Sequence, residues 1–115
     1  MADPMNVSDE DTKLVTLARS SRARTGAAEG AAVRDETGRT YAATTVALQA
    51  LELTALQAAV AAAVASGASG LEGAAVVTTG ELVDADLAVA VELGVDGALL
   101  HRADPSGAVV QTVDL

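Results

Sequence analysis

Few side chains in this sequence are equipped for chemistry, and they are spread thinly along it. His101 is the single histidine, and Asp104 lies three positions further on, close enough for a carboxylate to orient an imidazole for base catalysis. No nucleophile accompanies the pair, so a residue at the rim of a turn is the plainer reading of His101. Asp84 and Asp86 could offer oxygen ligands to Mg²⁺ or Ca²⁺, but acids in the first turn of a helix are already explained by capping and the helix dipole. Glu52 and Gln57 are polar groups inside an apolar stretch and must find partners. A hydrogen bond to loop backbone is preferred there over a pocket or a subunit contact. Cysteine is absent, which removes disulfides, thiolate zinc ligands and a thiol nucleophile together.

The composition limits the partners. Seven basic residues against sixteen acidic ones leave a net charge of -9, a poor match to nucleic acid, whose phosphates call for clustered Lys and Arg. Arg19, Arg22 and Arg24 form a local exception near the end of the first predicted helix, where they complement its negative end. Hydrophobic residues make up 50% and aromatic ones 1%, so the core must be built from Ala, Val and Leu, with Tyr41 as the sole ring. No apolar run reaches the roughly 18 residues of a membrane span. The N-terminal stretch lacks the basic start and apolar centre of a signal peptide, and a cytoplasmic protein is expected.

The elements that must position these groups follow from pattern. Residues 1–7 read as a flexible N-terminal tail and 8–115 as a single domain. Ser8 and Asp11 form a capping box that opens a helix to about Ser21, with Leu14, Leu17 and Ala18 facing inward. Residues 30–34 and 39–45 predict an antiparallel hairpin. Residues 48–66 predict a nearly buried central helix, with a bulky stripe of Leu53, Leu56, Val60 and Val64 and alanines elsewhere. The stretch 71–79 predicts a central strand apolar on both faces. Asp84 caps a third helix to Leu93 that buries Leu87, Val91 and Ala88, and strands at 97–101 and 108–113 close the chain as a hairpin. The expected architecture is α/β: a three-layer αβα sandwich with a mixed five-stranded sheet in the order αββαβαββ.

That order resembles the cytidine deaminase family, in its free-nucleoside form. Ala18-Arg19 late in the first helix, Gly30-Ala31-Ala32-Val33 opening the first strand and Thr37-Gly38-Arg39-Thr40-Tyr41 around the hairpin turn fit the resemblance, as does the closing hairpin. The resemblance implies a zinc ligand and a proton-shuttling Glu at the start of the central helix, two further thiolates in a later Pro-Cys-x-x-Cys, and an Asn-x-Glu that grips a ribose. At the corresponding positions this chain has Thr54 and Leu56, the segment Gly80-Glu81-Leu82-Val83-Asp84, and Thr45-Val46-Ala47.

The resemblance therefore implies a degenerate, zinc-less member of the kind found in high-GC bacteria, with no cofactor and with the former active site filled in. The expected role is a non-catalytic scaffold or partner-binding protein, a homo-oligomer (dimer or tetramer) that meets a protein partner and neither nucleic acid nor membrane. The alternatives are a nucleoside- or nucleotide-binding protein that keeps a remnant pocket of Thr45, Ala47, Glu52, Thr54 and Gln57, and a cytidine deaminase as the family name implies.

Overall fold

The computed structural model describes residues 7–115; positions 1–6 of the expected tail lie outside the described residues. Ser8 starts helix α1 (Asp9–Thr25) by accepting the Asp11 N–H through its hydroxyl at 3.1 Å. The helix runs past the expected end at Ser21 and stops at Gly26, whose φ of 66° suits glycine. Asp11, Leu14, Val15, Ala18 and Ser21 repeat at three- and four-residue steps and form its buried line. Leu17 falls off that line and is 37% exposed, against the expected inward face.

The first hairpin forms as expected, from β1 (Gly30–Asp35) and β2 (Thr40–Thr44). Asp35 organises its turn by accepting the N–H groups of Thr37 and Arg39 and the Tyr41 hydroxyl. At Gly30 helix α1 crosses so close that a Cβ would collide with the Ala18 carbonyl, so this position admits only glycine.

Residues 48–53 are not helical, which corrects the expected central helix. β3 (Val46–Ala47) and β4 (Glu52–Leu53) pair antiparallel, and the Leu48 N–H donates to the Leu51 carbonyl at 2.9 Å to close their turn. Helix α2 (Ala55–Ala65) begins only after Thr54. A short apolar run matches strand and helix patterns alike, and the capping residues Thr54 and Gln57 decide the boundary. Nor is α2 buried all round: Ala55, Leu56, Ala59, Val60 and Ala63 are covered, while Ala61, Ala62, Val64 and Ala65 are exposed. The helix lies on one face of the sheet with α3 at its flank, and no element among the described residues covers the rest.

Central strand β5 (Leu71–Val77) leads to α3 (Asp84–Leu93). Asp84 is not its cap. The N-cap is Val83, whose side chain accepts nothing, and the Asp86 carboxylate accepts the Val83 N–H at 3.3 Å instead. Asp86 and Ala90 form the buried side of α3, whereas Leu87 is half-buried and Ala88 and Val91 are exposed. The helix leans on α2 more than on the sheet, which rotates the expected apolar face outward. Strands β6 (Gly94–Ala103) and β7 (Val109–Asp114) complete a sheet of order β2-β1-β5-β6-β7. Only β5 and β6 run parallel.

Side-chain alternation along these strands makes two cores. Ala32, Ala75, Val77 and Ala103 meet Leu14, Val15 and Ala18 of α1 on one face. Ala31, Val33, Ala74, Val76 and Leu100 meet α2 and α3 on the other. The result is the expected α/β layering around a mixed five-stranded sheet, with the β3–β4 hairpin added at the α2 end. No helix among the described residues is long and apolar enough to cross a membrane.

Candidate site at the starts of α2 and α3

The start of α2 is locally determined by two side chains that serve each other. Thr54 accepts the Gln57 N–H through Oγ1 at 3.0 Å, and Gln57 returns Oε1 to the Thr54 N–H at 2.9 Å. Thr45, Ala47, Glu52, Thr54 and Gln57 together line one open cleft of about 370 Å³, with Glu29 as an acid in its wall. Leu56 points away, fully buried in the core under α2. The expectation that this region would be filled is thus met only in part: Leu56 packs, and the cleft beside Thr54 stays open.

Glu29 is held by the strand it precedes. Its backbone N–H donates to Thr45 Oγ1 at 3.1 Å, and its carbonyl accepts the Thr45 N–H at 3.3 Å. The Thr78 hydroxyl and the Ala55 N–H, the first of the α2 amides that lack a partner within the helix, both favour the ionised form of Glu29. Burial pushes the Glu29 carboxyl above the usual range; repulsion from Asp86 adds to this, and the two hydrogen bonds oppose it. Asp86 has no solvent exposure, and its Oδ1 has no hydrogen-bond partner. Glu29 and Glu52 are the charged residues of the cleft lining, and no Lys, Arg or His is among them.

The other chemical candidates lie elsewhere. His101 is not at a rim and does not pair with Asp104. It is buried under α1, with Nε2 2.8 Å from Asp11 Oδ2 and Nδ1 2.9 Å from Thr112 Oγ1. An ionised carboxylate only accepts, so Nε2 carries the proton of that contact. Arg34 donates to Asp11 Oδ1 at 3.0 Å and completes a cluster joining α1, β1, β6 and β7. Burial works to raise the Asp11 carboxyl, but hydrogen bonds and charge from His101 and Arg34 outweigh it and leave it below the usual range. Asp104 spends its carboxylate on the N–H groups of Ser106 and Ala108 in its own turn. Asp84 is exposed at the first turn of α3. Arg19 and Arg22 donate to the carbonyls of Pro105 and Ala28, tying α1 to neighbouring loops, and Arg24 lies in its last turn.

Sequence reasoning missed Glu29, Thr78, Asp11 and Arg34 as members of these clusters. Asp11 was legible only as a capping residue. Glu29 carried one signal, an isolated acid just before the Gly30-Ala31-Ala32-Val33 strand, where an apolar residue would otherwise continue the pattern.

The fold and this junction define a deaminase-type α/β sandwich whose helices α2 and α3 start beside a cleft. The chain belongs to the cytidine deaminase-like family, whose sequence model matches residues 7–107. The structure is similar to that of cytidine deaminase from Burkholderia pseudomallei, with a TM-score of 0.77 and 21% identity over 94% of this chain and 93% of the other. It is also similar to a mutant cytidine deaminase from Mycobacterium tuberculosis, with a TM-score of 0.65 and 25% identity over 76% of this chain and 81% of the other. No curated protein matches the sequence.

The residues present do not fit the zinc that the family resemblance implies. The Thr54 hydroxyl is committed to the capping box, Leu56 is apolar and buried, and Glu81 and Asp84 in the segment after β5 are exposed. No group of three or more His, Cys, Asp or Glu side chains among the described residues is placed to hold a metal ion.

Proposed function

We propose that this chain is a non-catalytic member of its family, a cytoplasmic, oligomeric scaffold or partner-binding protein. The observation that carries the reading is the start of α2, where the Thr54 side chain closes the capping box and Leu56 lies wholly in the core. Neither offers a metal ligand or a proton shuttle, and the chain has no cysteine with which to complete a thiolate site. Exposed apolar side chains favour contact with further copies or partners: Leu48 and Leu51 at the β3–β4 tip, Val64 on α2 and Val91 on α3. Metal analysis of the purified protein is expected to find no stoichiometric zinc, and cytidine absorbance is expected to persist on incubation. A zinc per chain, or deamination at a rate above background, overturns the reading. Sedimentation at micromolar concentration is expected to give a dimer or tetramer, and a strict monomer counts against the scaffold role.

The open cleft favours a second reading, a nucleoside- or nucleotide-binding protein without the chemistry. A nucleoside at 100 times its dissociation constant is expected to add about 2.7 kcal/mol of stability. A thermal-shift panel in which no pyrimidine or purine nucleoside moves the midpoint removes it.

A further inference from the structure

We propose that a second cleft, between the start of α3 and the β6–β7 hairpin, binds a small organic carboxylate with an apolar body, anchored by Arg102 and Gln111. The cleft has a volume of about 430 Å³, within the range of small-molecule sites, and is lined by Glu81, Leu82, Leu87, Arg102, Gln111 and Val113. Arg102 follows Leu100 by two positions on β6 and so shares the sheet face that α2 and α3 cover. Gln111 is its partner in register on β7. The cleft thus opens at the carboxyl ends of the parallel strands β5 and β6, the side of an α/β sheet on which ligands gather.

Donors outnumber acceptors in this cleft. Arg102 is half-buried; its Nε–H donates to Gln111 Oε1 at 2.9 Å and its Nη1 to the Gly80 carbonyl at 3.1 Å. Both acceptors are neutral, and among the described residues the guanidinium has no ion pair, in a chain with sixteen acids for seven bases. The two hydrogen bonds fix the side chain and leave its charge without a counter-ion in contact, with further guanidinium N–H groups to spare. Because Nε can only donate, the Gln111 atom that meets it is the carbonyl oxygen, and the amide NH₂ is left as a second donor beside the first. A planar, negative acceptor matches such donors: a guanidinium can meet a carboxylate with two parallel N–H groups. Leu82, Leu87 and Val113, packed against the core, supply the wall for an apolar body. Glu81 is the exposed acid of the lining and repels a dianion more than a monoanion, which disfavours a phosphate monoester.

Nuclear magnetic resonance titration of the full chain with benzoate, beside its neutral analogue benzamide, tests the assignment. Benzoate is expected to bind at least about tenfold more tightly than benzamide, to bind more tightly than phenyl phosphate, and to move the backbone amides of Leu82, Leu87 and Val113. Arg102→Gln is expected to abolish the preference for benzoate over benzamide, and Gln111→Ala to reduce it by a smaller factor. Glu81→Gln, at an exposed position, is expected to raise benzoate affinity a few-fold, and Arg24→Gln on the exposed end of α1 to leave it unchanged. Equal binding of benzoate and benzamide, tighter binding of phenyl phosphate, or no binding at millimolar benzoate overturns the proposal. So do amide shifts confined to the cleft at the start of α2, or an undiminished preference in Arg102→Gln. Should Arg102→Gln fail to fold, benzoate affinity unchanged in Glu81→Gln overturns it as well. The zinc, deamination and nucleoside assays test the proposed function on its own, and none of their outcomes depends on this cleft.

Discussion

Two buried polar clusters lie on opposite faces of the same sheet, and they are built to different ends. Under α1, Asp11 receives His101 and Arg34, and Thr112 occupies the second nitrogen of His101, so the central carboxylate is held by opposite charge and hydrogen bonds. At the starts of α2 and α3, Glu29 and Asp86 face each other's charge with a hydroxyl and backbone amides for company, and one carboxylate oxygen has no partner at all. Opposite charges joined by hydrogen bonds are what a fold uses to tie elements together, here a helix to three strands, even though Arg34 Nη1 has no partner of its own. Like charges at a junction of elements oppose folding instead, and protonation of one of them relieves the repulsion.

The largest test of this contrast removes the centre of the oppositely charged cluster. Asp11→Ala strands a buried guanidinium and imidazole, and is expected to cost about 3–5 kcal/mol in urea unfolding. A loss under about 1 kcal/mol makes the α1 cluster as dispensable as a surface pair.

Acid titration comes next, because the two clusters respond with opposite sign. Folded Asp11 holds its proton less readily than the unfolded chain, so its stabilisation is present above about pH 4 and is lost as the pH falls further. Folded Glu29 holds its proton more readily, so its contribution is present below the ordinary glutamate range and disappears as the pH rises through its raised value. Stability is therefore expected to rise on acidification from neutrality and then to collapse. Glu29→Gln is expected to flatten the first limb and Asp11→Asn the second; the reverse assignment in denaturant midpoints breaks the comparison.

A smaller effect is expected at Thr54. Thr54→Ala deletes half of the capping box and is expected to cost about 1 kcal/mol in the same unfolding measurement. The smallest is at Asp86: Asp86→Asn keeps an oxygen for the Val83 N–H and removes the like charge beside Glu29, so stability at pH 7 is expected to hold or rise. A loss above about 2 kcal/mol places Asp86 with the structural carboxylates after all.

Sequence alone determined the order of the three helices and the five strands of the main sheet, though not the β3–β4 hairpin, and with it the hairpins at both ends, the central apolar strand and the family resemblance, because strand alternation, turn residues and helix caps are local signals. It also excluded thiolate chemistry outright, since no fold can supply a cysteine that is absent. Thr45, Ala47 and Thr54, marked from the resemblance, and Glu52 and Gln57, marked as polar groups in an apolar stretch, line one cleft, because they fall in two short segments that the β3–β4 hairpin and the α2 cap bring together. Tertiary structure alone decided the rest. The helix boundary at Thr54 depended on a reciprocal pair of hydrogen bonds hidden inside an apolar run. The true partner of His101 is 90 positions away rather than three. Asp86 repels the Glu29 carboxylate although 57 positions separate them in sequence, and such repulsion leaves no trace in residue spacing.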